Sequence, residues 1–305
     1  MGNILVGTAS WTDQTLIDCK RFYPRGCNSA EERLRHYASR FALVEVDSSY
    51  YALPSARNAA LWAQRTPAGF TFNVKAFRAL TQHQTPRQAL PRDLAALLPA
   101  GRSTVYYKDL PGELREELWT RFVTALQPLA EAGKLGALHF QFPPWFIARR
   151  ENYQYLEHLR ERLPQHLLAV EFRHASWFAP AQRDATLEFE RAHALANVTV
   201  DEPQGFRQSI PAVWEITTPA LALLRLHGRN ADTWTRPGLA AASDRFNYDY
   251  PSAELAQFVP RLRSLAASAA LVHVVFNNNY EDQGVRNARE LIDLLGADAA
   301  GPAPA

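Results

Sequence analysis

The chain has 305 residues, of which 47% are hydrophobic and 21% charged, with a formal net charge of +2. That length suits one large α/β domain or two small ones, and that balance excludes a disordered chain. The near-neutral charge excludes a strong overall field, so a nucleic-acid role would need a local basic patch.

The two cysteines, Cys19 and Cys27, have neither a zinc spacing nor a disulfide framework, and a reducing, cytoplasmic setting is expected. Met1-Gly2-Asn3 runs straight into a strand-like ILVG with no basic start or long apolar core, so no signal peptide is read there. No apolar run approaches the roughly 18 residues of a membrane span, and no membrane partner is expected.

Eight strand-like runs follow one another: 4–10, 41–47, 70–76, 136–142, 167–173, 197–201, 221–227 and 271–277. Amphipathic stretches separate them. Ser29 to Arg40 opens with the Ser29/Glu32 spacing of a capping box. Glu113 to Ala132 carries Leu114, Leu118, Phe122, Leu126 and Leu129 on one stripe and stops at Gly133. Asn152 to Leu163, Ala181 to Ala194, Ser252 to Ala267 and Val285 to Leu295 read the same way, with Asn58 to Arg65 weaker. Glu202 to Pro219 shows no helix. Strands alternating with helices predict a parallel sheet, and eight of them predict a single (β/α)8 TIM-type barrel over 1–297, with long loops after strands 3 (77–110) and 7 (228–251). An open doubly wound sheet is less consistent with the lone glycine after the first strand. The tail 298–305, rich in small residues and proline, is expected to fray.

Side chains alternate faces along a strand. Glu45 and Asp47 share one face, as do Asn73 and Lys75, His139 and Gln141, Glu171 and Arg173, Thr199 and Asp201, Arg225 and His227, and His273 and Asn277. Thr8 and Ser10 are the milder pair on the first strand. The opposite faces are mostly apolar and would pack on helices. The polar faces therefore point into the barrel near its C-terminal mouth, where barrel enzymes keep their sites. Burying such charges unpaired would cost several kcal/mol each, so they must pair, bind water or hold a ligand.

Seven segments carry a family resemblance: VGTASW (6–11), FALVEVDSSYYALP (41–54), TPAGFTFNVKA (66–76), HFQFPPWF (139–146), AVEFRHASWF (169–178), RLHGR (225–229) and FNNNYEDQGVRNA (276–288). With these in order, the chain resembles the domain-of-unknown-function 72 (YecE-like) family from about Ile4 to Leu295. The resemblance implies a TIM-type barrel and supplies no particular chemistry.

Glu45, Asp47, Glu171 and Asp201 are the candidate general acids and bases; the competing structural role is ion pairing to Lys75, Arg173 and Arg225. Those three cations, with His227, Arg229 and Asn277, suit an anion such as phosphate or carboxylate. Gly284, ahead of a helix after strand 8, is a weaker phosphate candidate. Trp11, Tyr50, Tyr51, Trp145, Trp177 and Trp234 are placed at the rim, where they would either stack a ring or pack loops. His139, His227 and His273 beside the carboxylates leave a zinc or manganese site as a lesser alternative, but there is no HxH or HExxH spacing and the interleaved cations would repel a metal. No cofactor is predicted. Three functions stay open: a hydrolase or lyase acting on a phosphate-bearing substrate, nucleic acid included; a glycosidase using Glu171 with Glu45 or Asp47; and a non-catalytic binder of a small metabolite. On the first, Arg173→Ala is expected to abolish phosphate binding and leave the fold intact. Oligomeric state is not legible.

Overall fold

A computed structural model of the protein describes residues 3–99, 101–206, 209–239 and 242–302. Eight parallel strands close into a barrel: β1 (Asn3–Thr8), β2 (Leu43–Val46), β3 (Thr71–Lys75), β6 (Leu135–Gln141), β7 (Leu168–Glu171), β8 (Leu195–Asp201), β9 (Leu221–Leu226) and β10 (Leu271–Phe276). β4 (Thr85–Pro86) and β5 (Thr104–Val105) form a small antiparallel ribbon inside the long loop after β3. β10 closes the ring against β1, in register from Asn3 with Leu271 to Thr8 with Phe276.

Seven helices of eight residues or more surround the barrel among the described residues: α1 (Ala30–Ala38), α2 (Ala56–Gln64), α3 (Gly112–Glu131), α4 (Arg150–Arg162), α5 (Arg183–Ala192), α6 (Ser252–Ala266) and α7 (Gln283–Leu295). Both halves of the Ser29/Glu32 capping box form at α1, and the predicted leucine and phenylalanine stripe of α3 is buried. Val44, Val46, Phe72, Val74, Phe140, Val170 and Phe172 face this helical layer and join its core. No helix among the described residues is long and apolar enough to cross a membrane.

The expected helix-free stretch after β8 governs a local inversion. Val200 lies in register with Arg225 and Asp201 with Leu226. Because Arg225 points inward, so does Val200, and Asn197, Thr199 and Asp201 point outward, opposite to the predicted face. Outside β8 lies an irregular segment whose backbone needs partners. Thr199 Oγ1 donates to Val213 O at 2.7 Å, and Asn197 N donates to Thr217 Oγ1 at 2.7 Å. A polar strand face is satisfied there as an apolar face is against a helix.

β1 is inverted as well. Thr8 faces α1, where its N and Oγ1 both bond Tyr37 OH. Leu5 and Ala9 instead form a small apolar cluster with Ala42, Leu43 and Val275, separate from the main core. Gly7 is required here: a Cβ would lie 1.9 Å from Leu43 O. The tail is also corrected as far as it is described. Ala300 N donates to Ile4 O at 2.8 Å, Ala299 bridges Ile4, and Asp298 pairs with Arg263 at 2.7 Å. The last residues, 303–305, lie outside the described residues.

Candidate functional site

The polar spokes stack in layers. Deepest, Asn73 Oδ1 accepts from Ala137 N at 2.9 Å and lies 3.0 Å from His273 Nδ1. Burial lowers the His273 pKa to about 4, which keeps the ring neutral. It belongs to the packing of the barrel floor.

The second layer centres on Arg225. Its Nη2 donates to Glu45 Oε1 and its Nη1 to Glu171 Oε2, each at 2.7 Å. His139 spans the same carboxylates, with Nδ1 3.0 Å from Glu45 and Nε2 3.1 Å from Glu171. All four side chains have no exposed surface. Burial alone would raise the Glu45 carboxyl, but Arg225 and then His139 hold it down at about 2. Glu171 is likewise held well below the ordinary carboxylate range, against its burial, by Arg173 and Arg225.

The third layer reaches the mouth. Arg173 Nε sits 2.6 Å from Glu171 Oε1, its Nη1 donates to Glu202 Oε2 at 2.7 Å, and its Nη2 lies 3.0 Å from His227 Nε2. Asn277 Nδ2 lies 2.9 Å from His227 Nδ1. Burial and then Arg173 push His227 down to about 3, so the ring is neutral. Burial pushes Glu202 up to about 7, and Arg173 opposes that rise. Lys75 Nζ donates to Asp47 Oδ1 at 2.8 Å.

Above these groups opens a cavity of about 760 Å³ lined by Asp47, Tyr50, Lys75, Gln141, Arg173, Arg245 and Asn277, with the loop at 13–15 on one side. A niche of about 190 Å³ adjoins it, walled by Gln141, Arg173, Arg245 and Phe246 together with Pro144 and Trp234. The Arg245 guanidinium has no carboxylate partner among the described residues.

The structure thus brings together Glu45, Asp47, Lys75, Glu171, Arg173, Arg225, His227 and Asn277, with Tyr50 on the wall. It separates the others. Asp201 lies outside the barrel, paired with Arg229 at 2.9 Å and accepting from Tyr250 OH at 2.7 Å; Arg229 also pairs with Glu254 of α6. Trp11 is buried edge-on against Trp62 and Phe72, at 5.8 and 6.4 Å between ring centres. Trp177 is fully buried, stacked on Phe172 at 3.9 Å, and its Nε1 donates to Phe146 O at 2.6 Å. Both are loop anchors because strand ends with apolar outer faces need covering. Gly284 serves close packing against Asn278 O, and carboxylates of Glu281 and Asp282, paired with Arg21, flank the start of α7 and oppose a phosphate there. The carboxylates a metal would need are taken by Arg225. Among the described residues no group of three or more His, Cys, Asp or Glu is arranged to hold a metal ion.

Glu202 and Arg245 escaped the sequence reasoning, and Gln141 was not singled out as a site residue. Gln141 was visible on the polar face of its strand. Glu202 lay one position beyond the expected strand end, and the inverted phase of β8 concealed it. Arg245 sits in a short 3-10 turn, Ala242–Phe246, within the long insertion after β9, too short for periodicity to place it.

Residues 5–305 match the family model described as "Protein of unknown function DUF72". The chain belongs to the DUF72 family. It is 32% identical to the UPF0759 protein YunF of Bacillus subtilis (strain 168), covering 99% of this chain and 98% of YunF. Two solved DUF72 structures share its architecture. One, from Enterococcus faecalis V583, has a TM-score of 0.80 at 27% identity, covering 99% of this chain and 98% of its own. The other, from Thermotoga maritima MSB8, has a TM-score of 0.75 at 29% identity, covering 96% of this chain and 99% of its own. DUF72 membership and the (β/α)8 barrel agree with the resemblance drawn from the seven segments.

Proposed function

We propose that this DUF72 protein is a hydrolase or lyase acting on a phosphate-bearing substrate at the C-terminal mouth of the barrel. Lys75, Arg173 and Arg245 hold the anion, and Asp47 handles the proton. One observation carries the reading: three cations from three separate segments line a single cavity, and Arg245 has no carboxylate partner among the described residues. Guanidinium forks suit phosphate oxygens, and a lysine supplies a point charge. Glu45 and Glu171 are sealed beneath Arg225, so they stiffen the site from below and carry no proton. Asp47 lines the cavity, with one oxygen bonded by Lys75. A glycosidase would need two carboxylates flanking the bond, and the buried pair faces its own arginine instead.

The test is calorimetric titration with inorganic phosphate, glucose 6-phosphate and 5′-AMP beside glucose and adenosine. Only the phosphorylated compounds are expected to bind. A charge-assisted contact contributes about 1.5–3 kcal/mol, so Lys75→Ala or Arg245→Ala should weaken binding roughly ten- to a hundredfold. Asp47→Asn should bind the substrate and fail to turn it over. Arg173→Ala is the poorer probe, contrary to the expectation from sequence: it strips partners from Glu171 and Glu202 and disturbs the fold itself. Equal affinity for glucose and glucose 6-phosphate, or no binding by any phosphorylated compound, would overturn the proposal.

A further inference from the structure

Beside the barrel mouth lies a second pocket of about 340 Å³, lined in part by Gln82, Lys108, Trp145 and Arg149. Trp145 is 54% exposed, an unusual outlay for the largest apolar side chain. Lys108 and Arg149 are both exposed. The nearest carboxylate to Arg149 is the surface Glu151 at 3.6 Å, and Lys108 has no carboxylate partner among the described residues. Gln82 reaches the pocket wall as the left-handed cap, φ +66°, that ends the short 3-10 turn Arg78–Thr81.

A line of rings connects this pocket to the central cavity. Lys75 Nζ lies 4.9 Å above the Tyr50 ring, Tyr50 meets His83 at 5.1 Å, and His83 meets Trp145 at 5.9 Å. Burial, then Lys75, pushes His83 down to about 3, so the connecting ring is neutral and adds no charge of its own. Aromatic platforms interleaved with separate cations fit a chain of alternating flat rings and negative charges. A neutral sugar chain would use the rings and leave Lys108 and Arg149 without a purpose.

We infer that the Trp145 pocket is an outer subsite and that the substrate is a short single-stranded nucleic acid, with one phosphate in the central cavity and a neighbouring nucleotide stacked on Trp145. Lys108 and Arg149 hold the phosphate of that second unit. The inference rests on the phosphate reading above and names its substrate class.

The experiment compares the affinity of 5′-AMP with that of 5′-phosphorylated tetra-adenylate, in ribo and deoxy forms, and of cellotetraose. It uses the full chain, Trp145→Ala and the Lys108→Ala/Arg149→Ala pair, at low and high salt. Loss of base stacking on alanine substitution of an aromatic side chain costs about five- to a hundredfold in affinity per base. The tetranucleotide should therefore bind the native protein at least about fivefold tighter than 5′-AMP and weaken with salt. Both outer variants should lose that advantage while their affinity for 5′-AMP stays unchanged. Binding of 5′-AMP with no gain from the longer chain overturns this inference and leaves the phosphate reading standing. Absence of binding by either nucleotide overturns both. Cellotetraose binding in the same pocket without salt dependence also overturns the inference.

Discussion

Arg225→Met tests what the buried layer does. The native guanidinium has no exposed surface and bonds Glu45 and Glu171 at 2.7 Å each. The Glu45 carboxyl is held at about 2, against an ordinary value of 4.5. At about 1.4 kcal/mol per pH unit, that represents about 3 kcal/mol net of the burial cost. Removing the cation forfeits this and leaves a carboxylate buried, a loss of about 3–5 kcal/mol in comparable cases. The loss should not double, because Glu171 keeps Arg173 at 2.6 Å and both acids keep His139. Urea denaturation at neutral pH reads the difference directly. Combining Arg225→Met with Glu45→Gln should recover part of the loss, since the neutral amide no longer needs a cation; the recovered fraction is the coupling in a double-mutant cycle. A loss below about 1 kcal/mol, or a double variant no better than the sum of its parts, would refute the claim that Arg225 neutralises both glutamates.

Stability should also fall steeply in acid. His83, His227 and His273 titrate at about 3, 3 and 4 in the fold, so the unfolded chain takes up their protons first, near 6.5, and their contribution drains as pH falls. Between about pH 6.5 and 4.5 the raised carboxyls of Glu202 and Glu190 oppose this trend, because the fold holds those protons more tightly than the unfolded chain. Below about 4.5 Glu45 and Glu171 join the histidines, each group contributing up to about 1.4 kcal/mol per pH unit; urea midpoints measured from pH 7 down to 3 that stay flat below 5 would contradict the assignment. Asp201→Asn should leave phosphate affinity unchanged, because the side chain braces Arg229 and Tyr250 outside the barrel. A tenfold loss of affinity in that variant, by the same calorimetry, would return Asp201 to the site.

The eight-strand alternation, the long helices described around it and the polar convergence at one end were legible because each follows from local period. A strand that buries one face repeats every two residues, and a helix that buries one stripe repeats every three or four. That rule put Glu45, Lys75, Glu171, Arg173 and Arg225 on the polar faces of their strands, and the apolar opposite faces, packed on helices, turned them inward. The rule marks two faces and does not say which turns inward. On β8 the outer cover is an irregular segment with backbone groups to satisfy, so the polar face turns out and Glu202, not Asp201, meets Arg173. Division of labour among the acids was equally beyond reach of pattern. Glu45 and Asp47 read alike two positions apart, yet the depth of the barrel seals one under Arg225 and leaves the other at the cavity wall. Composition and spacing determined the barrel and its polar ring; only packing in three dimensions decided which charges neutralise one another and which remain available to a ligand, because burial and pairing depend on neighbours far away in the chain.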